Sequence, residues 1–129
     1  IITGLVGSEM CIRDSEVFDH WQKAMRDVGR HENVYVKLGA LPILRAADAD
    51  KLMPPTSEEV ATAWKPWLDT CIEAFGPERS MFESNFPVQK LWASYVVVWN
   101  AFKRIAAGAS ASEKASLFSG AARAAYRLS

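Results

Sequence analysis

Four side chains in this sequence have types and spacing that can do chemistry. Lys37 lies late on a strand-like segment, where a cation can hold a carboxylate or polarise a carbonyl oxygen. Its plainer role is to be neutralised by a carboxylate on a neighbouring strand, since an unpaired charge inside a protein is costly. Glu83 and Asn85 are two residues apart on a second strand-like segment, so the period-two rule puts them on one face. Glu83 is a counter-charge for Lys37 or, with a raised pKa, a general base; the pair is the preferred reading. Asn85 cannot take a proton near neutral pH and is a poor ligand for a hard metal. Gln89 follows in the next loop, as a substrate contact or a solvated amide. Ser84 points away from Glu83 and lacks a Gly-x-Ser-x-Gly elbow, which argues against a nucleophile. His20 and His31 read as surface or turn histidines, and Cys71 as a buried, inert thiol on an apolar stripe. Trp64, Trp67 and Trp99 fall at helical spacing and read as packing residues; Trp92, in a loop, is less clearly so.

The elements that must position these groups follow from periodicity. Residues 16–30 carry Val17, Phe18, Trp21, Met25 and Val28 at helical spacing, with Gly29 as the stop. Residues 33–40 are rich in β-branched and aromatic residues and predict a strand, with Val34, Val36 and Leu38 on one face and Tyr35, Lys37 and Gly39 on the other. A loop runs to Pro54-Pro55, and Thr56-Ser57-Glu58-Glu59 is a capping box that opens a helix. Pro66 predicts a kink or restart in that helix. Its second segment, with Trp67, Leu68, Cys71, Ile72 and Phe75, is stopped by Gly76-Pro77. A second strand is expected over 79–86, closed by Pro87, then a helix over about 93–107 with Gly108 as the stop. Ser110–Glu113 is a second capping box, opening a last helix that carries Leu117, Phe118, Ala121, Ala125, Tyr126 and Leu128.

Alternating strands and helices predict an α/β architecture with a parallel sheet. At 129 residues, 50% hydrophobic and 23% charged, the composition is that of one globular domain or less, with neither a disordered tail nor a repeat. Fifteen basic against fifteen acidic residues leave no net charge, which disfavours nucleic acid as a partner, and no apolar run is long enough to cross a bilayer. Cys11 and Cys71 make no disulfide framework and no metal-ligand spacing. Two strands alone cannot form a covered parallel sheet, so further strands are expected to belong to the fold. Leu5–Ser15 resembles the translation of a transposase sequencing adapter, which matches Leu5 through Asp14 without a break. The expected organisation is therefore residues 1–15 adapter-derived and residues 16–129 native, beginning within a longer gene.

Asn33-Val-Tyr-Val-Lys-Leu-Gly, Phe75-Gly-Pro-Glu-Arg-Ser-Met-Phe-Glu-Ser-Asn-Phe-Pro and the closing Ala122-Arg-Ala-Ala-Tyr-Arg-Leu128 resemble the amidohydrolase-related family that includes 2-pyrone-4,6-dicarboxylate lactonases and sugar-lactone hydrolases. The resemblance covers residues 16–129 and implies the C-terminal part of a (β/α)8 TIM barrel, about two parallel strands with four or five helices. Catalytic groups would lie at the C-terminal strand ends. It implies a hydrolase of a lactone or related cyclic ester, inactive as the 129-residue chain. Residues on other strands would activate water, while Lys37, Glu83, Asn85 and Gln89 bind or polarise the substrate. The family's Ser-Asp-Trp-Pro aspartate is Asn85 here, and a subgroup's Val-Asp-Lys is Val88-Gln89-Lys90, so a carboxylate is absent at both places. The family's His-x-His and mid-barrel histidine are also absent. The competing expectation is a barrel relative that binds a small molecule or partner without catalysis. Family members bind a divalent metal such as zinc or need none, which leaves the cofactor undetermined. The expected partner is a small-molecule substrate, with neither nucleic acid nor membrane; self-association is left open, and the expected location is the cytoplasm.

Overall fold

The structure is a computed structural model that describes residues 3–41 and 53–129, with side chains from residue 15 onward. The loop expected before Pro54 lies largely outside the described residues, as does the side chain of Cys11. The described elements are α1 (Thr3–Gly29), β1 (Val36–Leu38), α2 (Ser57–Phe75), β2 (Ser80–Phe82), α3 (Tyr95–Ile105), α4 (Ala111–Ala115) and α5 (Ala121–Ala125). A π-helical turn, Ser116–Gly120, joins α4 to α5, and short 3-10 turns occupy Pro77–Arg79 and Val88–Leu91. The order expected from periodicity is present, with the last helix divided by the π-helical turn.

The two strands are parallel, with Val36 opposite Ser80, Lys37 opposite Met81 and Leu38 opposite Phe82. Both are three residues long, shorter than the patterns over 33–40 and 79–86 suggest. Backbone geometry explains the trimming. Ala40 and Asn85 have φ of 60° and 53°, in the left-handed region, so neither segment remains extended to its expected end. Alanine gains nothing there that glycine would not supply without strain. Ala40→Gly should therefore raise stability by about 1 kcal/mol, read as a higher urea midpoint with an unchanged slope.

Leu38 and Phe82 project from one face of the ladder into the core, against Val60, Trp64, Leu68 and Cys71 of α2 and Val98, Ala101, Phe102 and Ile105 of α3. Phe82 and Phe102 stack with centroids 4.6 Å apart, and Trp64 lies 5.7 Å from Phe102. Thr56 and Ser110 both cap their helices as expected, each with its reciprocal glutamate, and Ser94 caps α3. Pro66 does not divide α2, which is continuous from Ser57 to Phe75. One carbonyl loses its donor, but the capping box at one end and the buried face along the helix outweigh that loss.

The face of α1 also differs from the expected one. Phe18, Trp21 and Met25 turn inward, whereas Val17 and Val28 are exposed. Gln22 takes an inward position and donates to Thr70 Oγ1 at 2.8 Å. Phe18 and Trp21 close on Trp67 of α2, with centroids 4.7 and 4.8 Å away. Gly29 is not a left-handed stop: it ends α1 and lies against α2, where a Cβ would fall 2.4 Å from the Ala74 carbonyl oxygen. Its role is close approach between helices.

Cys71 is buried on α2 as expected, and burial pushes its thiol pKa up to about 11. The native thiol should thus stay unreactive toward alkylating reagents at pH 8, with peptide mapping showing modification only at the rate of unfolding. Because the folded-state value lies above the ordinary one of 9.0, its contribution to stability is full below pH 9 and is lost as pH rises through about 11.

Candidate functional site

The ladder register brings Lys37 and Glu83 together toward the C-terminal ends of β1 and β2. Lys37 lies opposite Met81, and Glu83, two residues beyond Met81, returns to the same face. Their side chains meet, Nζ to Oε2 at 3.5 Å. The pair is more open than an interior ion pair: the Lys37 side chain is 53% exposed and that of Glu83 25%. Glu83's charge is the main reason that Lys37 holds its proton above the usual lysine range, and the Tyr126 hydroxyl adds to this. Gly39 makes the meeting feasible, since a Cβ there would lie 2.7 Å from Glu83 Cγ. The arrangement is a held ammonium at a strand mouth, able to polarise a carbonyl oxygen or bind an anion.

Tyr126, expected within the last helix, is 58% exposed and turned toward Lys37. Helical periodicity could not show this. Tyr126 lies just beyond α5, where the chain leaves the helix and Arg127 takes a φ of 53°.

Asn85 lies past the end of β2, so its placement does not follow from strand alternation with Glu83. Its left-handed backbone suits asparagine better than most residues. The peptide bond between Phe86 and Pro87 is cis. Ser84 Oγ accepts from the Phe86 backbone N–H at 3.3 Å, a turn-forming contact rather than a poised nucleophile.

Gln89 is 1% exposed, which overturns the expectation of a solvated loop amide. Its Nε2 donates to the Leu41 carbonyl at 3.2 Å, and its Oε1 accepts from Asn85 Nδ2 at 3.4 Å. It ties together the segments that follow the two strands. The cause is the 3-10 turn Val88–Leu91, which rolls Gln89 inward and leaves Val88 and Leu91 outside. Trp92, Tyr95 and Val96 are exposed apolar residues as well.

His20 and His31 are exposed and away from the mouth, as expected of surface and turn residues. Arg79 carries no local signal in the sequence, yet it has the densest polar contacts at the opposite end of the sheet. Its guanidinium donates to the carbonyls of His31 (2.7 Å), Val34 (3.1 Å) and Gly29 (2.8 Å) and lies 5.5 Å over the Phe75 ring. Among the described residues no group of three or more His, Cys, Asp or Glu is placed to hold a metal. A lysine-paired glutamate and an asparagine do not fit a zinc site. Nor does any described helix have the length and apolarity to cross a membrane.

The family profile described as Amidohydrolase matches residues 7–128. An uncharacterized protein, y4mH, of Sinorhizobium fredii is 40% identical over 111 residues, covering 86% of this chain and 34% of that protein. The L-fucono-1,5-lactonase of Burkholderia multivorans is 32% identical over 124 residues, covering 90% of this chain and 38% of the enzyme. Crystal structures of a Burkholderia multivorans amidohydrolase superpose with TM-scores of 0.74 (bound HEPES) and 0.71 (bound zinc) at 31% identity. They cover 91% and 87% of this chain and 39% and 38% of theirs. The chain thus spans between a third and two fifths of the length of these relatives, and its two parallel strands with their helices form part of an α/β barrel. By sequence and by fold, the chain belongs to the amidohydrolase family.

Proposed function

We propose that this chain, through residues 16–129, is the C-terminal portion of a barrel hydrolase that opens a lactone or related cyclic ester. The observation that carries the reading is the 32% identity to an L-fucono-1,5-lactonase across 90% of this chain. Water adds to the lactone carbonyl, the ring C–O bond breaks and the ring oxygen leaves with a proton. Lys37 polarises that carbonyl or holds a substrate carboxylate, a role supported by Glu83, which keeps its ammonium charged. Asn85 supplies an amide at the mouth, and Gln89 holds that amide without touching the substrate. Activation of water falls to residues elsewhere in the barrel, so the 129-residue chain alone is inactive.

The test is hydrolysis of L-fucono-1,5-lactone and related aldonolactones, followed by acid release, for this chain and for the product of the longer gene. Activity in the longer product alone, weakened by Lys37→Met chiefly through KM, supports the proposal. A longer product that binds these lactones without opening them gives way to the second reading, a non-catalytic barrel. That reading is favoured by Asn85, which cannot act as a base.

A further inference from the structure

Three groups line up across the strand ends: the Leu41 carbonyl, the Gln89 amide and the Asn85 amide. The first member decides the order of the rest. A backbone carbonyl only accepts, so Gln89 must turn its NH2 toward Leu41. Its oxygen then faces Asn85, which must answer with its own NH2. Burial removes water as an alternative partner for Gln89, and the backbone is tied as well: Gln89 N–H donates to the Asn85 carbonyl at 2.8 Å, and the Gln89 carbonyl accepts from Trp92 and Ala93. The remaining atom, Asn85 Oδ1, accepts from no donor among the described residues.

We propose that Gln89 is a positioning residue that orients the Asn85 amide, leaving Oδ1 as a neutral hydrogen-bond acceptor at the strand mouth. That oxygen reads a donor, a substrate hydroxyl or the attacking water; this use rests on the function proposed above, whereas the orientation does not. An aspartate in place of Asn85 would set oxygen against oxygen at Gln89, so Asn85 is matched to its partner and is not merely a lost carboxylate.

The test is Asn85→Asp in the 129-residue chain, with the introduced carboxyl followed by 13C NMR titration in the absence of substrate. An ordinary aspartate titrates near about 3.9. Here the carboxyl is expected to titrate above about 5, because only its protonated form can donate to Gln89. The variant's stability then falls as pH rises through that value, the sign for an acid whose folded-state pKa is raised. Titration at or below about 3.9 overturns the proposal, since Gln89 has then inverted freely. Adding Gln89→Met should bring the value down by removing the acceptor; a value unchanged or higher assigns the effect to burial and also overturns it. If Asn85→Asp does not fold, the unsubstituted chain decides. Overhauser contacts from the Gln89 NH2 to the Leu41 backbone support the orientation, and contacts to the Asn85 side chain instead refute it. These readouts need no hydrolysis, so failure of the lactonase proposal would leave them standing.

Discussion

Phe102→Ala should lower the unfolding free energy by about 4 kcal/mol, the largest loss expected from one core truncation here. Phe102 is fully buried and serves as the junction of the core. Its ring stacks on Phe82 of β2 at 4.6 Å, lies 5.7 Å from Trp64 of α2 and meets Trp99 edge-on at 5.4 Å within α3. Removing it opens a cavity bordered by groups from three elements. The two helices and the ladder cannot all close toward it at once, so relaxation recovers little. Phe102→Leu keeps most of the volume and should cost about half as much. Urea unfolding of the two variants checks this through their midpoints, and equal losses would mean that ring contacts, rather than volume, carry the effect.

Arg79→Ala should cost about 3 kcal/mol, because three backbone carbonyls lose one charged donor. Gly29 is the last residue of α1, so its carbonyl has no acceptor role within the helix, and those of His31 and Val34 belong to the turn leading into β1. Arg79 thereby ties the α1–β1 connection to the foot of β2. Lysine presents a single ammonium without the planar fork and cannot span the three sites, so Arg79→Lys should recover less than half of the loss. Unfolding midpoints of the two variants test this. Hydrogen exchange should also rise first at the amides of residues 30–35, since the turn loses its anchor before the core opens.

Much of the fold was legible because local rules and burial agree. The capping boxes at Thr56 and Ser110 are sequence patterns whose hydrogen bonds form within four residues, so no distant contact is needed to recognise them. The split of β1, with Leu38 inside and Lys37 outside, follows from alternation alone. The failures occur where alternation or helical phase stops applying. Val28 fits an apolar stripe on paper yet is exposed, because the partner helix lies against Gly29 and Gln22 instead. Pro66 breaks helices in general, but here flanking burial retains one.

At the site, the sequence by itself determined which chemistry is present: one ammonium, one carboxylate and two amides, with asparagine where the family resemblance implies an acid. It also made the Lys37–Glu83 pair the preferred reading over a general base, and the strand register then brought the two together. Only the tertiary structure decided what the amides do. Gln89 is inside and Asn85 presents its oxygen because a left-handed residue and a 3-10 turn follow β2, and because a carbonyl from the other strand's loop happens to lie within reach. Arg79 likewise gained its role from three carbonyls some 45 to 50 residues away in sequence. Contacts of that separation depend on how the layers pack, and no local pattern encodes them.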